Sequence, residues 1–314
     1  MYQSEINKIK ATVGEDFYNF LAEQGCYIAG GALTSVFTNS EINDVDIYFP
    51  SKEAFTRVMR AVYDVDGERD DFSYADAIVQ HVSNKAVLVK ANSGNSDVQF
   101  IAHKFYENAL DIFKDFDFSI NMAAIDMKSG NFVSTPYFFK HLGQRYLHVN
   151  TNTSYPLIST LRVDKYRKRG YNISKAQLLR LLLAVNAKEI NSWEKLADEL
   201  GGMYGTAPEE IFDYSQPFSL QLAIDKLDNF EISDKLRTNC PVYEDVVKKL
   251  HFAFTLDEVR SVANELKQKI EKEEKYSLQY KEKYNLQYKD YLWYTPTNIE
   301  SMKKELQQME DLLK

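Results

Sequence analysis

The stretch YIAGGALTSVFTNSEINDVDIYF, from Tyr27 to Phe49, combines two constraints that few folds satisfy together. Gly30 and Gly31 end a short apolar run, and Asp44-Val45-Asp46 begins thirteen residues after the second glycine. Side chains alternate along a strand, so DVDIYF puts Asp44, Asp46 and Tyr48 on one face and Val45, Ile47 and Phe49 on the other. The two aspartates then stand roughly 6–7 Å apart at Cα. That suits a pair of divalent ions about 3.5–4 Å apart. Hard cations such as Mg²⁺ take carboxylate oxygen and bring substrate phosphates with them. The glycines supply the other half, because backbone without Cβ can approach a phosphate closely. A helix beginning just after Gly31 would aim free N–H groups at the same anion. Either half alone fits an ordinary turn or a surface strand. Together they predict one triphosphate–metal site.

The surrounding sequence predicts an α+β chain. Through residue 150 it reads as mixed α/β. EDFYNFLAEQG has helical spacing and CYIAGG reads as a short strand. SKEAFTRVMRAVY reads as a helix capped by Ser51. AIVQHV, KAVLVKA and DVQFIAH read as strands, KFYENALDIFK as a helix, FDFSINMAAID as a strand and FVS as a short one. From 151 to 252 the pattern is helical, with Ser174 and Ser192 as N-caps and Gly170 and Gly201 as stops. Residues 253–314 read as a long charged helical tail broken at Pro296, a hairpin or coiled coil. It contains the tandem pair KYSLQYKE and KYNLQYKD. Two copies are too few for a solenoid. Their Tyr/Leu seam reads as scaffold or self-association, with RNA stacking as the alternative.

Gly-Gly, a short helix and then DVDI resembles the polymerase β-like nucleotidyltransferase superfamily. The doubled glycine is similar to the branch of CCA-adding enzymes and bacterial poly(A) polymerases. Two further stretches resemble that branch in its order: DFSINMAAID, Asp117 to Asp126, and the neck-like PLISTLRVDKYRKRGYNI, Pro156 to Ile173. The resemblance implies a catalytic head over 1–150, a helical neck and body over 151–252, and transfer of a nucleoside monophosphate to an acceptor hydroxyl with release of pyrophosphate. It implies two Mg²⁺ ions, with Mn²⁺ as a substitute, on Asp44, Asp46 and a third carboxylate. Asp97 is the candidate for that third position, as metal ligand or base, with Gln99 as the alternative occupant. It implies nucleotide contacts from Gly30, Gly31, Ser35, Asp117 and Asn121. ATP or CTP would be the donor and an RNA 3′ end, that of tRNA first, the acceptor.

The basic run RVDKYRKRGY puts Arg162, Lys165 and Arg169 on one helical stripe, a phosphate-binding face. Lys140 and Arg145 add positive charge. The departures from the family pattern are specific. Thr34-Ser35 stand where it has Arg-Asp, Asp115-Phe116 where it has two arginines, and Tyr155 where its neck begins with aspartate. Its base-reading Glu-Asp-x-x-Arg segment has no counterpart. Two rivals follow: a nucleotidyltransferase that modifies a protein, a small molecule or tRNA as a toxin, and an inactive member kept for binding or assembly.

The formal net charge of −8 excludes a uniformly basic nucleic-acid binder but not a local basic patch. Cys26 and Cys240 are too few for a disulfide framework. Without an apolar span of about 18 residues, a soluble cytoplasmic protein without membrane contact is expected. The five histidines show no metal-ligand spacing.

Overall fold

The computed structural model describes residues 2–63, 77–83, 85–91, 97–200, 212, 214–227, 243–284 and 296–314. They fall into two compact units, 1–241 and 242–314. The chain is of the expected α+β class. The first unit opens with helices α1 (Gln3–Val13) and α2 (Glu15–Glu23), followed by strand β1 (Tyr27–Ala29). Helix α3 (Gly31–Phe37), strand β2 (Asp44–Tyr48) and helix α4 (Lys52–Tyr63) come next. Strands β3 (Ala77–Val82), β4 (Ala86–Ala91) and β5 (Asp97–Ile101) precede the short helix α5 (Ala109–Ile112). Strands β6 (Ala123–Asp126) and β7 (Asn131–Ser134) complete the sheet, and helix α6 (Phe138–Gly143) follows.

The sheet order is β3-β4-β5-β2-β1-β6-β7. Only β2 and β5 run parallel; the other described pairs are antiparallel. One face carries Val45, Ile47 and Phe100, all fully buried. Helices α2 and α4 cover this side of the sheet: Phe17 lies against Phe100, and Phe55 meets Phe49 edge-on, just past β2. The other face carries Tyr27, Ala29, Tyr48 and Ala124, which pack with Tyr106, Ile112 and Phe113 around α5. This second core stops at Tyr48. Beyond it on the same face of β2 come Asp46 and Asp44, where apolar cover gives way to the site.

Two expected elements differ. KFYENALDIFK is helical only over Ala109–Ile112, where the Asn108 side chain caps the backbone of Asp111. FDFSINMAAID is not a continuous strand. Ser119–Asn121 form a 3₁₀ turn and β6 begins at Ala123. The Asn121 amide donates back to the Asp117 carboxylate at 3.0 Å. Such local side-chain bonds compete with strand pairing.

Helices α7 (Pro156–Lys168), α8 (Lys175–Asn186) and α9 (Trp193–Leu200) follow. Ser174 caps α8 by accepting from the Gln177 N–H, as expected. Ser192 accepts from Lys195 in the same way. Buried Glu199 of α9 accepts from the Leu157 N–H at 3.2 Å, so a remote carboxylate satisfies the start of α7. Gly201 lies outside the described residues. In the second unit, helices Leu256–Tyr284 and Pro296–Leu312 pack through Leu266, Ile270 and Met302. Pro296 opens the second of these helices. Residues 285–290 of the tandem repeat lie outside the described residues.

Candidate active site

Register fixes the site's floor. Asp44 pairs with Asp97 and Asp46 with Gln99 across the parallel β2–β5 ladder. In-register residues share a face, so Asp44, Asp46, Asp97 and Gln99 all project to the same side. Lys90 is in register with Asp97 on the opposite flank. Among the described residues, no group of three or more His, Cys, Asp or Glu side chains is placed to hold a metal ion. Asp97 therefore shares the face without completing a three-carboxylate cluster. Asp44 and Asp46 form the central pair, and Gln99 lies next to Asp46.

Asp46 is half-buried. Burial and the neighbouring Asp44 charge push its carboxyl up to about 7, against the pull of Arg162 and Lys165. The two half-buried carboxylates thus repel one another. Arg162 and Lys165 of helix α7 supply the opposing charge.

The glycine turn forms one wall. Gly30 has φ +90°, a conformation that favours glycine. A Cβ there would lie 3.6 Å from Asp46 Oδ2 and 3.5 Å from the Phe116 ring. A Cβ on Gly31 would meet no heavy atom within 4 Å, so the second glycine opens onto free space. Thr34 and Ser35 are buried inside α3. Ser35, expected at the phosphates, is buried, and its carbonyl accepts from the Ser40 N–H.

Asp117, Asn121 and Arg162 come together, but mainly with each other. Asp117 is 1% exposed. Its Oδ1 accepts from the Phe118 N–H at 2.9 Å and from the Asn121 amide; its Oδ2 pairs with Arg162 Nη1 at 3.0 Å. Asn121 Oδ1 accepts from the Tyr166 hydroxyl at 2.8 Å. Thr34 Oγ1 donates to the Ile120 carbonyl at 2.6 Å and lies 3.2 Å from Asn121 Oδ1. One buried network therefore joins the glycine-turn helix, the 117–121 turn and α7. Tyr166 and Thr34 belong to it and were not identified from the sequence. The available signal was Tyr166 on the inner face of a basic helix. Lys165 is exposed, with its charge felt at Asp46. Arg169 caps the end of α7 beside Tyr166 and Tyr171 and is not gathered at the carboxylates. Arg145 lies over the Tyr171 ring, and Lys140 is exposed on α6.

Comparison with known proteins gives two kinds of likeness. Residues 3–145 match the family described as "Gabija anti-defense 2 family protein". The chain is 36% identical over 228 residues to "Gabija anti-defense 2" of Bacillus phage SPbetaL7. That match covers 72% of this chain and 54% of the phage protein, so the chain spans about half the length of its curated relative. Among solved structures, the Thermotoga maritima CCA-adding enzyme complexed with tRNA is similar at a TM-score of 0.41 and 14% identity. That match covers 84% of this chain and 60% of the enzyme. A CCA-adding enzyme complexed with ATP is similar at 0.45 and 13% identity, over 84% of this chain and 67% of the other. The chain is thus similar in sequence to a phage anti-defence protein.

Proposed function

We propose that this chain is a metal-dependent nucleotidyltransferase that moves a nucleoside monophosphate from an NTP to an acceptor hydroxyl and releases pyrophosphate. The carrying observation is the placement of Asp44 and Asp46 on one face of β2, against the positive-φ Gly30 and within the field of Arg162 and Lys165.

The donor set fits Mg²⁺. Two neighbouring carboxylates offer hard oxygen, and Mg²⁺ is commonly held by one or two carboxylates plus substrate phosphates and water. Their mutual repulsion, expressed in the raised Asp46, is what a bound cation would relieve. Asp44 and Asp46 would hold it, with Asp97 or Gln99 alongside. When bound, the metal neutralises the triphosphate and activates the acceptor oxygen. Gly31 leaves room for phosphate beside the backbone. Arg162, aimed by Asp117, and Lys165 counter phosphate charge. Asn121 and Tyr166 act as positioning residues that fix α7 over the floor.

The favoured acceptor is an RNA 3′ end, that of tRNA first, with ATP or CTP as donor. Charge supports it. Residues 127–188 hold eleven of the chain's 38 Lys and Arg but only one of its 46 Asp and Glu. A basic stretch in an acidic chain is a fitting track for a nucleic-acid backbone. The phage relative's name favours a second reading, in which the acceptor is a protein of the Gabija defence system and transfer disables it.

The experiment is incubation of purified chain with each α-³²P-labelled NTP, Mg²⁺, total RNA and a lysate of Gabija-bearing cells. Label on RNA supports the first reading and label on protein the second. Label on neither, with no pyrophosphate released, contradicts transferase activity.

A further inference from the structure

Helix α8 buries one side and presents the other bare. Gln177 and Leu181 face inward, where Gln177 Oε1 accepts from the Val149 N–H at 2.9 Å. Outward stand Leu178, Leu179, Leu182 and Leu183, exposed by 39, 60, 50 and 68%. At about 100° per residue these four form one stripe, two leucines per turn. Single exposed leucines need no explanation, but contiguous ones on a rigid, capped helix mark a contact surface.

Charge identifies the occupant. Lys175 stands at the N-terminal end of the stripe and Arg180 along its edge, both exposed. Helix α8 has no acidic residue, and among the described residues no carboxylate pairs with either cation. The neighbouring α7 adds exposed Leu161, Lys165 and Arg167. A second copy would bring the same positive face against itself, which like-charge repulsion opposes. A lipid surface would draw on the same leucines and cations, and the vesicle measurement below distinguishes it. Leucines at i, i+1, i+4 and i+5 leave grooves that accept the ridge of another helix.

We propose that the outer face of α8 docks an amphipathic helix of a partner protein, with an apolar seam on the leucines and acidic flanks on Lys175 and Arg180. The leucine stripe takes no part in the transferase site, although Lys175 and Arg180 belong to the basic stretch 127–188.

The test uses the full chain and a fluorescein-labelled peptide of about 20 residues. The peptide carries Leu at i, i+3, i+4 and i+7 with Glu on both flanks, and its twin carries Lys for Glu. Anisotropy should show micromolar binding of the Glu peptide and at least about tenfold weaker binding of the Lys peptide. Leu179→Glu/Leu183→Glu should weaken Glu-peptide binding at least about tenfold, with circular dichroism unchanged because both positions are exposed. Lys175→Glu/Arg180→Glu keeps the leucines and should invert the charge preference. No binding, equal binding of the two peptides, or binding that survives the leucine variant would overturn the proposal. So would leucine-dependent partition onto phosphatidylserine vesicles, or a dimer of the unliganded chain that the leucine variant dissolves.

Discussion

Gly30 and Asp46 are direct neighbours: a methyl group on Gly30 would sit 3.6 Å from the Asp46 carboxylate. The turn that exposes backbone and the strand that carries the carboxylates therefore lie against each other.

Gly30→Ala should be costly and Gly31→Ala mild. At φ +90° and ψ −136° an L side chain is strained by about 1–3 kcal/mol. Gly31 has helical backbone and open space around it. Urea unfolding should show a clear loss for the first and a change within about 0.5 kcal/mol for the second. If Gly31 serves phosphate approach, Gly31→Ala should still raise KM for NTP.

Arg162→Ala should destabilise the chain and impair transfer. It leaves Asp117 buried without its cation. A fully buried pair broken this way costs about 3–5 kcal/mol. Arg162 keeps some solvent contact, so about 2–3 kcal/mol is expected here. Chemical denaturation measures the stability loss, and NTP titration should show weakened binding.

Tyr166→Phe separates position from chemistry. It removes only the hydroxyl that donates to Asn121. A stability loss of about 0.5–1.5 kcal/mol follows from the lost hydrogen bond, with Thr34 Oγ1 still 3.2 Å from the same acceptor. The fold should persist by circular dichroism. Transfer should fall in kcat, because α7 loses a tie to the turn that holds Asp117.

His141 and His148 stack at 5.2 Å between ring centres, and both have pKa values below the ordinary range. Burial is the main cause for each. The other imidazole adds to it for His141, and Arg180 for His148. With the folded pKa depressed, the unfolded chain takes the proton first as pH falls. The stability these rings contribute is present above about 6.5 and is lost below it. Between pH 7 and pH 5 the wild type should lose more stability than His141→Asn/His148→Asn. Parallel urea midpoints across that range would contradict this.

The floor of the site was legible from sequence because strand alternation is local: DVDIYF fixes which side chains share a face. The register that brings Asp97 beside Asp44 was not legible, since it depends on pairing across 53 positions of chain. The network under the glycine turn was hidden for the same reason. Thr34 and Ile120 are 86 residues apart, and Asn121 and Tyr166 are 45 apart. Thr34 looked only like a departure from Arg-Asp, yet it links α3 to the 117–121 turn. Asp117 and Asn121 were expected to contact the nucleotide from a strand. Their mutual bond bends the chain into a turn and turns them towards α7. The segment holding the α8 leucines was legible as a capped helix, but periodicity marks apolar faces without saying which are covered.

The most direct measurement is transfer from α-³²P-labelled ATP and CTP in Mg²⁺ to total RNA, comparing wild type with Asp44→Asn/Asp46→Asn. The expected result is label at RNA 3′ ends with wild type and at least about a thousandfold less with the double variant, whose fold is unchanged by circular dichroism. Label transfer that the double variant retains, or no transfer to any acceptor by wild type, would contradict a nucleotidyltransferase built on these two aspartates.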